Sequence, residues 1–303
     1  MKKFKAHFYT DVYKDYSISS LNNLHLFCGK ILDDRGNHLI EKFSGSEVII
    51  HKVNFNPHTM QFFIDNNEIN INSTEYLSSL LTNECSIVID STTLGLPEIF
   101  YLIKQFIALN FLTFKIIYIE PEKYNKDENN EFYKLSHYPI GYKPIPGAVA
   151  DLHQDDIELG IFFVGFDASR MEIALDEFQM IQDKSIKVIF GIPAFHSGLE
   201  LESIVPHLGI LSDNRNFDID FCSALDPTSA YEMLNFYKKS LDDGQKFFIA
   251  PLGTKPTTIA SALFANLFSL DVSLLYDHPF HLENRTSGVK EWHIYSIYLT
   301  EID

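Results

Sequence analysis

A short corner between a strand and a helix carries residue types suited to binding an anion. An apolar strand ends at Pro251, the turn Gly253, Thr254 and Lys255 follows, and a long apolar helix is predicted to begin near Pro256. The start of a helix exposes backbone N–H groups and a partial positive charge, which together bind phosphate. Glycine lets the backbone approach a ligand, threonine adds a hydroxyl and lysine adds a cation. The corner is therefore predicted to cradle an anion, the alternative being a plain turn with an exposed lysine.

The corner does not match two well-known phosphate-binding loops. The P-loop spacing GxxxxGK[ST] and the dinucleotide-binding spacing GxGxxG are both missing. We therefore predict no classical dinucleotide site and no cofactor.

A second turn, STTLG at 91–95, offers hydroxyls at another predicted strand end. Ser91 and Thr92 follow Asp90, which would oppose an anion but could accept a hydrogen bond from a ribose hydroxyl. We predict that Ser91 and Thr92 contact a ligand, and plain helix capping is the alternative.

A third turn, VGFDASR at 164–170, combines a glycine with an arginine. Gly165 permits close approach, and Arg170 falls in the first turn of a predicted helix, where the helix dipole disfavours a cation. A cation in that position favours an anionic ligand, so Gly165 and Arg170 are predicted ligand contacts. A surface salt bridge is the alternative for Arg170.

Two residues are candidates for acid–base chemistry. His196 lies in FGIPAFHSGLE after a predicted strand, and Asp167 lies in the third turn. Loop contacts or helix capping are the alternatives. The GxSxG elbow of serine hydrolases is missing.

The polar segment DHPFHLENRTSG (277–288) contains an aspartate and two histidines. The spacing of Asp277, His278 and His281 matches no familiar metal site, so we predict no metal. We predict instead a polar loop from which Arg285 reaches a phosphate.

Apolar strands alternate with helices along most of the chain. SIVID (86–90), a helix at 99–111 and FKIIYIEP (114–121) form one β–turn–α–β unit. The alternation resumes near 159 and ends with EWHIYSIYL (291–299), whose alternating polarity predicts an edge strand. This order predicts an α/β fold with a Rossmann-like, doubly wound, mostly parallel sheet and a β-rich N-terminal region.

Changes in composition predict four regions. We expect a β-rich region at 1–80, the first βαβ unit at 81–125, a loop or linker at 126–157 and a Rossmann-like α/β unit at 158–303. Within the first region, strands are predicted at 46–55 and 59–65, with a turn at 65–68.

Two segments resemble each other. SIVIDSTTLGLPE and KFFIAPLGTKPTT each place an apolar strand before a turn that contains Gly, Thr and Pro, and an apolar helix and a second strand follow. Internal duplication is one explanation, and the pattern that all βαβ units share is the other.

The overall composition restricts the class of protein. The 303 residues are 46% hydrophobic and carry a formal net charge of −17, which predicts a packed core and disfavours long nucleic acid or membrane as partners. The three cysteines form no CxxC pair and the opening lacks the apolar core of a secretion signal. We therefore expect a cytoplasmic protein.

The stretch FFIAPLGTKPTTIASALFA resembles the strand–GTK–helix signature of CARF domains, which are Rossmann-like sensors of cyclic oligonucleotides in prokaryotic antiviral defence. The resemblance covers mainly residues 245–279. It implies that Thr254 and Lys255 bind ligand phosphates and that Ser91 and Thr92 line the same pocket. The RxxxxH nuclease module and the winged helix that accompany such sensors are not found in this sequence.

Together these observations predict a protein that binds a phosphate-bearing small molecule, a nucleotide or a cyclic oligonucleotide, as a sensor or an accessory component of a defence system. A protein partner or a homo-oligomer is expected. One alternative is an enzyme that acts on a nucleotide or phospho-sugar through His196 or Asp167. Another is a protein-interaction scaffold that uses the aromatic N-terminal β region.

Overall fold

The tertiary contacts of the chain fall into two separate groups. The computed structural model describes residues 2–16, 23–44, 47–82, 84–126, 133, 135–149, 157–177, 185–212 and 217–302. The first compact unit comprises Met1–Asn125 and Glu283–Asp303, and the second comprises Lys126–Leu282. The regions predicted at 1–80 and 81–125 thus share one unit.

The predicted loop or linker at 126–157 falls partly outside the described residues, which omit 127–132, 134 and 150–156. Its described part contains one short strand and lies in the second unit, which begins at Lys126.

The first unit is built on one sheet of eight described strands. Its elements are β1 (Lys3–Tyr13), β2 (Leu24–Cys28), α1 (Asp34–Phe43), β3 (Val48–Asn56), β4 (Gln61–Ile64), β5 (Asn67–Ile69), α2 (Glu75–Leu80), β6 (Ser86–Asp90), α3 (Leu96–Ala108), β7 (Thr113–Ile119), β8 (Lys123–Tyr124), β16 (Thr286–Ser287) and β17 (Trp292–Ile302). The strand order is β1-β17-β7-β6-β2-β3-β4-β5, and β8 pairs separately with β16.

This sheet is mixed, so the prediction of a mostly parallel sheet is wrong for the first unit. The four central strands β7, β6, β2 and β3 run parallel, whereas all pairings outside them are antiparallel. One cause is local: Asp65 and Asn66 both adopt positive φ angles of 50° and 67°, which form a two-residue hairpin turn between β4 and β5. The turn predicted at 65–68 is confirmed at residues 65 and 66, whereas residues 67 and 68 belong to β5.

The prediction that 291–299 forms an edge strand is wrong. β17 lies between β1 and β7 and pairs with both along most of its length. β1, from the other end of the chain, covers the edge of β17, and residues 292–297 are buried while residues 300–302 are exposed. The true edge of the sheet is β1, most of whose residues are exposed.

The first unit's core lies between the central strands and α1. Leu39 and Phe43 of α1 join Leu24 and Leu26 of β2 and the buried Trp292 in one apolar cluster. Asp33 caps this helix by accepting a hydrogen bond from the backbone N–H of Arg35. The cap fixes the start of α1 just beyond the carboxyl end of β2.

The second unit is built on a five-stranded sheet of described strands that run entirely parallel. Its elements are β9 (Ser136–Pro139), β10 (Ile157–Val164), α4 (Ser169–Glu177), β11 (Ser185–Gly191), α5 (Leu199–Ile204), a 3₁₀ turn (Val205–His207), α6 (Leu208–Ser212), β12 (Phe217–Cys222), α7 (Pro227–Ser240), β13 (Lys246–Pro251), α8 (Lys255–Leu267), β14 (Val272–Leu274) and β15 (Pro279–His281). The strand order is β12-β11-β10-β13-β14, and β9 pairs separately with β15.

Helices pack on both faces of this sheet. Phe248 of β13 joins a cluster with Met171 and Leu175 of α4, while the next residue toward the N-terminus, Phe247, contacts Phe264 of α8 with ring centroids 6.1 Å apart. Successive strand residues point to opposite faces, so α4 and α8 lie on opposite sides. The mixed α/β class predicted from the sequence is confirmed.

The two segments that resemble each other in sequence fold alike. The helices α3 and α8 each contain 13 residues, and each connects two neighbouring parallel strands, β6 to β7 and β13 to β14. One lies in each unit. None of the described helices combines the length and apolar character that spanning a bilayer requires.

Gly160→Ala is expected to destabilise the second unit by about 1–3 kcal/mol through overpacking. An added Cβ would lie 2.2 Å from Cζ of the buried Phe248 side chain, which must then move within the core. The measurement is urea-induced unfolding followed by far-UV circular dichroism.

The matched control is Gly209→Ala in α6, where an added Cβ meets nothing within 4 Å. This change is expected to be neutral or stabilising by up to about 1 kcal/mol because alanine favours helix. Equal unfolding midpoints for the two variants would contradict the packing described here.

Candidate functional site

The carboxyl ends of β10 and β13 approach each other closely at two glycines. A Cβ on Gly253 would lie 2.8 Å from the carbonyl oxygen of Val164, and a Cβ on Gly165 would lie 3.1 Å from the carbonyl oxygen of Leu252. The backbone N–H of Leu252 donates to the carbonyl of Phe163 at 2.8 Å. Only glycine fits at Gly253, so the corner predicted from the sequence is placed by contact between two backbones.

These two strands flank the point where the strand order reverses. The chain goes from β10 to β11 on one side and later returns to β13 on the other. In open parallel sheets, ligands bind in the crevice outside the carboxyl ends of such a pair. The predicted residues Gly165, Gly253, Thr254 and Lys255 all lie at this crevice.

Thr254 is the N-cap residue of α8 and presents an unusual hydroxyl. Its backbone is extended, with φ −79° and ψ 165°, but its side chain makes no capping hydrogen bond. Its Oγ1 is buried and has no hydrogen-bond partner among the described residues. A buried hydroxyl without a partner costs free energy, so the position favours a group that binds there.

The first turn of α8 is arranged for an anion. Lys255 is the first residue of the helix and is half-buried, and Pro256 follows at a position that needs no N–H partner. The hydroxyls of Thr257 and Thr258 donate backward to the carbonyl of Thr254, at 2.8 Å and 3.1 Å. They therefore fix the cap residue and do not compete for its hydroxyl.

A third strand end lies beside the cap. A Cβ on Gly191, at the end of β11, would lie 3.7 Å from Cγ2 of Thr254 and 3.0 Å from Cβ of Ala224. The ends of β10, β11 and β13 thus meet around Thr254.

The side chain of Arg170 contacts the backbone next to the corner instead of extending into solvent. It forms a bidentate ion pair with Asp277, with Nε–Oδ2 at 2.7 Å and Nη2–Oδ1 at 2.5 Å, and its Nη1 donates to the carbonyl of Leu252 at 3.1 Å. Burial opposes its charge, but Asp277 outweighs burial and holds the pKa of Arg170 above its usual value. Its direct contact with a ligand stays a prediction, while its observed contacts position the residue before Gly253.

The two acid–base candidates lie in loops of the second unit. Asp167 accepts hydrogen bonds from the backbone N–H and the hydroxyl of Ser169, at 3.2 Å and 2.6 Å, which fixes the start of α4. His196 is half-buried in the loop between β11 and α5. Glu200 stabilises this loop by accepting from the backbone N–H groups of Ala194 and Gly198.

Ser91 and Thr92 lie in the first unit and are buried there. The hydroxyl of Ser91 donates to the carbonyl of Ile117 at 2.8 Å, and Oγ1 of Thr92 accepts from the backbone N–H of Ile119 at 2.9 Å. Through these two hydrogen bonds, the turn that follows β6 is attached to the neighbouring strand β7. Asp90 completes the turn by accepting from the backbone N–H of Thr92.

Arg285 also lies in the first unit, beside a buried ion pair. Asp33 and Arg35 form a bidentate pair, and the hydroxyl of Thr286 donates to the same carboxylate at 2.6 Å. Burial, and then repulsion by Arg35, lower the pKa of Arg285. The structure thus places the predicted residues in two groups, one in each unit.

Sequence reasoning missed a second glycine corner in the first unit. A Cβ on Gly29, after β2, would lie 2.6 Å from the carbonyl oxygen of Thr93, after β6. The backbone N–H of Gly29 also donates to the hydroxyl of Thr93 at 2.8 Å. The signal was available: LHLFC is an apolar run interrupted only by His25, and the glycine that follows it is a turn residue.

A group of side chains that could hold a metal ion was also missed. Glu120, Glu291 and His293 place one ligand atom each within 4.8 Å of one another. Burial disfavours ionisation of Glu120, but hydrogen bonds from His293 and Lys290 outweigh burial and keep its pKa below the usual value. The ammonium of Lys290, 2.7 Å from Oε1 of Glu120, supplies the positive charge that a metal would bring.

Neither the models of known protein families nor the curated proteins contain a match to this chain. The strand ends, the helix N-terminus, the hydroxyl and the lysine at this corner can together bind an anion.

Asp277→Asn is expected to destabilise the second unit by about 3–5 kcal/mol, because it leaves the buried Arg170 without its counter-charge. The Asp277 side chain is fully buried and that of Arg170 is 12% exposed. The decrease in the free energy of unfolding is measured by urea-induced unfolding followed by far-UV circular dichroism.

Asp218→Asn is the control, since Asp218 pairs with Lys187 but its side chain is 62% exposed. That change is expected to cost about 0–1 kcal/mol. A cost for Asp277→Asn no larger than that of the control would show that the buried pair does not support the corner.

Proposed function

We propose that the second unit binds a phosphate-bearing small molecule, a nucleotide or a cyclic oligonucleotide, at the corner Gly253–Lys255. In this proposal the phosphate lies at the N-terminus of α8, receives hydrogen bonds from its first backbone N–H groups and is neutralised in part by Lys255. Gly253 allows the backbone to come close to the ligand.

The observation that carries the proposal is the buried hydroxyl of Thr254, which has no hydrogen-bond partner among the described residues. N-cap threonines usually accept a hydrogen bond from the helix that they cap. Here the side chain leaves the first turn of α8 uncapped, and a phosphate oxygen would satisfy both the hydroxyl and the helix N–H groups.

The sheet supports the same location. We regard the second unit as a Rossmann-like, doubly wound fold on the basis of its strand order and of α4 and α8 on opposite faces. In that fold class, the crevice beside the first and fourth strands is the usual ligand site. Gly165 and Gly253 lie at the ends of those strands.

The proposed role is that of a sensor or an accessory component of a prokaryotic defence system, working in the cytoplasm with a protein partner or a second copy. This part of the proposal follows from the similarity of residues 245–279 to CARF domains. The net charge of −17 does not prevent a small anion from binding, because a local cluster of N–H groups attracts it over a few ångströms. A long nucleic acid, by contrast, would be repelled by the negative potential of the whole protein.

One observation favours a protein-binding role as a second candidate. Tyr9 and Tyr13 of the edge strand β1 are 64% and 41% exposed, and aromatic residues on an open strand edge are typical of protein contacts. For the enzyme alternative, the carboxylate of Asp167 is already engaged at the start of α4.

Thermal unfolding in the presence of mono-, di- and cyclic nucleotides tests the proposal. A ligand at about 100 times its dissociation constant adds about 2.7 kcal/mol and raises the melting temperature by about 5–10 °C. Thr254→Val and Lys255→Ala are expected to remove most of that shift, because they delete the hydroxyl and the cation.

Lys239→Ala, an exposed lysine at the end of α7, is the control for the loss of one positive charge and should keep the wild-type shift. The corresponding nucleosides, which lack phosphate, should give no shift. A wild-type shift in both Thr254→Val and Lys255→Ala would refute the proposed site.

A further inference from the structure

A cleft of about 780 Å³ opens in the first unit beyond the carboxyl end of β2 and beside the second half of β3. Its walls include Gly29, Lys30, Lys52, Asn54, Phe63 and Asn66. The volume falls within the range of about 300–1,000 Å³ that is typical of small-molecule sites. All these residues belong to the first unit, whereas the corner Gly253–Lys255 belongs to the second.

One wall of the cleft is a regular strand surface. Asn54 of β3 and Phe63 of β4 are direct cross-strand partners, and Lys52 lies two residues before Asn54. Residues at these positions share one face of the sheet. Lysine, asparagine and a half-buried phenylalanine ring therefore line the cleft side by side.

Lys52 supplies a cation that the fold does not neutralise directly. Its Nζ lies 3.2 Å from Sγ of Cys28 and forms no ion pair with the described residues. Burial, and then the charge of Asp90, raise the pKa of the Cys28 thiol to about 11, so the thiol stays neutral near pH 7. A thiol is a weak acceptor, which leaves the ammonium able to bind an anion.

The charged side chains of Lys30 and Asp65 each have a partner. Lys30 pairs with Glu283 at 2.8 Å, and both side chains are mostly exposed. Asp65 accepts from the backbone N–H of Lys52 and from the ring of the buried His51. Asp65 and Glu283 therefore have partners of their own, and Lys52 is the cleft-lining lysine without a carboxylate partner among the described residues.

From this geometry we propose that the cleft binds a second small molecule that combines a phosphate with a planar ring, of the class and size of a nucleoside monophosphate. The phosphate lies against Lys52, the ring stacks on Phe63, and the amides of Asn54 and Asn66 hydrogen-bond to the ring edge or the sugar. Bases stack on the faces of aromatic side chains in nucleic-acid-binding proteins, and the half-buried Phe63 ring offers such a face.

The test is isothermal titration calorimetry of the full chain with adenosine 5′-monophosphate, adenosine and inorganic phosphate. All titrations use the Lys255→Ala background, so that a nucleotide bound at the second unit does not mask the first. The expected result is one binding event for adenosine monophosphate, with adenosine and inorganic phosphate each bound at least about tenfold more weakly.

Lys52→Met is expected to weaken binding of adenosine monophosphate at least about tenfold, and Phe63→Leu about threefold or more. Lys14→Ala, an exposed lysine of the first unit outside the cleft, is expected to leave binding unchanged. Far-UV circular dichroism confirms that each variant is folded, and Asn54→Ala replaces any variant that is not.

Absence of binding in the Lys255→Ala background would overturn the proposal, as would parental affinity in folded Lys52→Met and Phe63→Leu. Equal affinity for inorganic phosphate and for adenosine monophosphate would overturn the assigned ligand class. A failure of the second-unit site has a different signature. In a Lys52→Met background, which removes the first-unit cleft, Lys255→Ala and Thr254→Val would then leave the nucleotide-induced thermal shift intact.

Discussion

The contact between the backbones at Gly165 and Gly253 is the constraint on which the candidate site of the second unit depends. A Cβ on Gly253 would lie 2.8 Å from the Val164 carbonyl, so any other residue would force β10 and β13 apart at their carboxyl ends. Because these strands are so close, the N-terminus of α8 starts directly at the crevice where the strand order reverses. The close contact between the two strands therefore determines where Thr254 and Lys255 lie.

A buried arginine secures each of the two units. Arg170 joins Asp277 to the carbonyl of Leu252, and Arg35 joins Asp33 to the carbonyl of Ile119. Each arginine is thus held by one carboxylate and one backbone carbonyl near a strand end. In an acidic protein, the groups that remain for an anion are backbone N–H groups, hydroxyls and lysines, and these are the groups proposed in both clefts.

The sequence predicted the features that depend on neighbouring residues. The strand before Pro251, the helix with proline in its first turn and the glycine turn were all visible because propensity and capping act over a few residues. The partner of Arg170 was not visible, since Asp277 lies 107 residues away and no local pattern marks it. The role of the Ser91 hydroxyl likewise depends on Ile117, which is 26 residues distant.

The strand order of the first unit could not be predicted from the sequence for the same reason, because it depends on distant residues. The alternating polarity of β17 predicts an edge strand. Its position inside the sheet depends on pairing with β1, which comes from the opposite end of the chain. The short strand β2 was missed because a five-residue run with four apolar side chains fits a buried helix segment as well as a strand. Its glycine contact with Thr93 shows that both units use the same device at their strand ends.

The most direct test of the central claim is the change in backbone amide ¹H–¹⁵N NMR shifts when a nucleotide is added to the protein. If a phosphate binds at the N-terminus of α8, the largest changes occur at Thr254, Lys255 and Thr257, with amide protons shifted downfield by the new hydrogen bonds. If those three amides stay in place while signals elsewhere in the second unit move, the anion site at this corner is refuted.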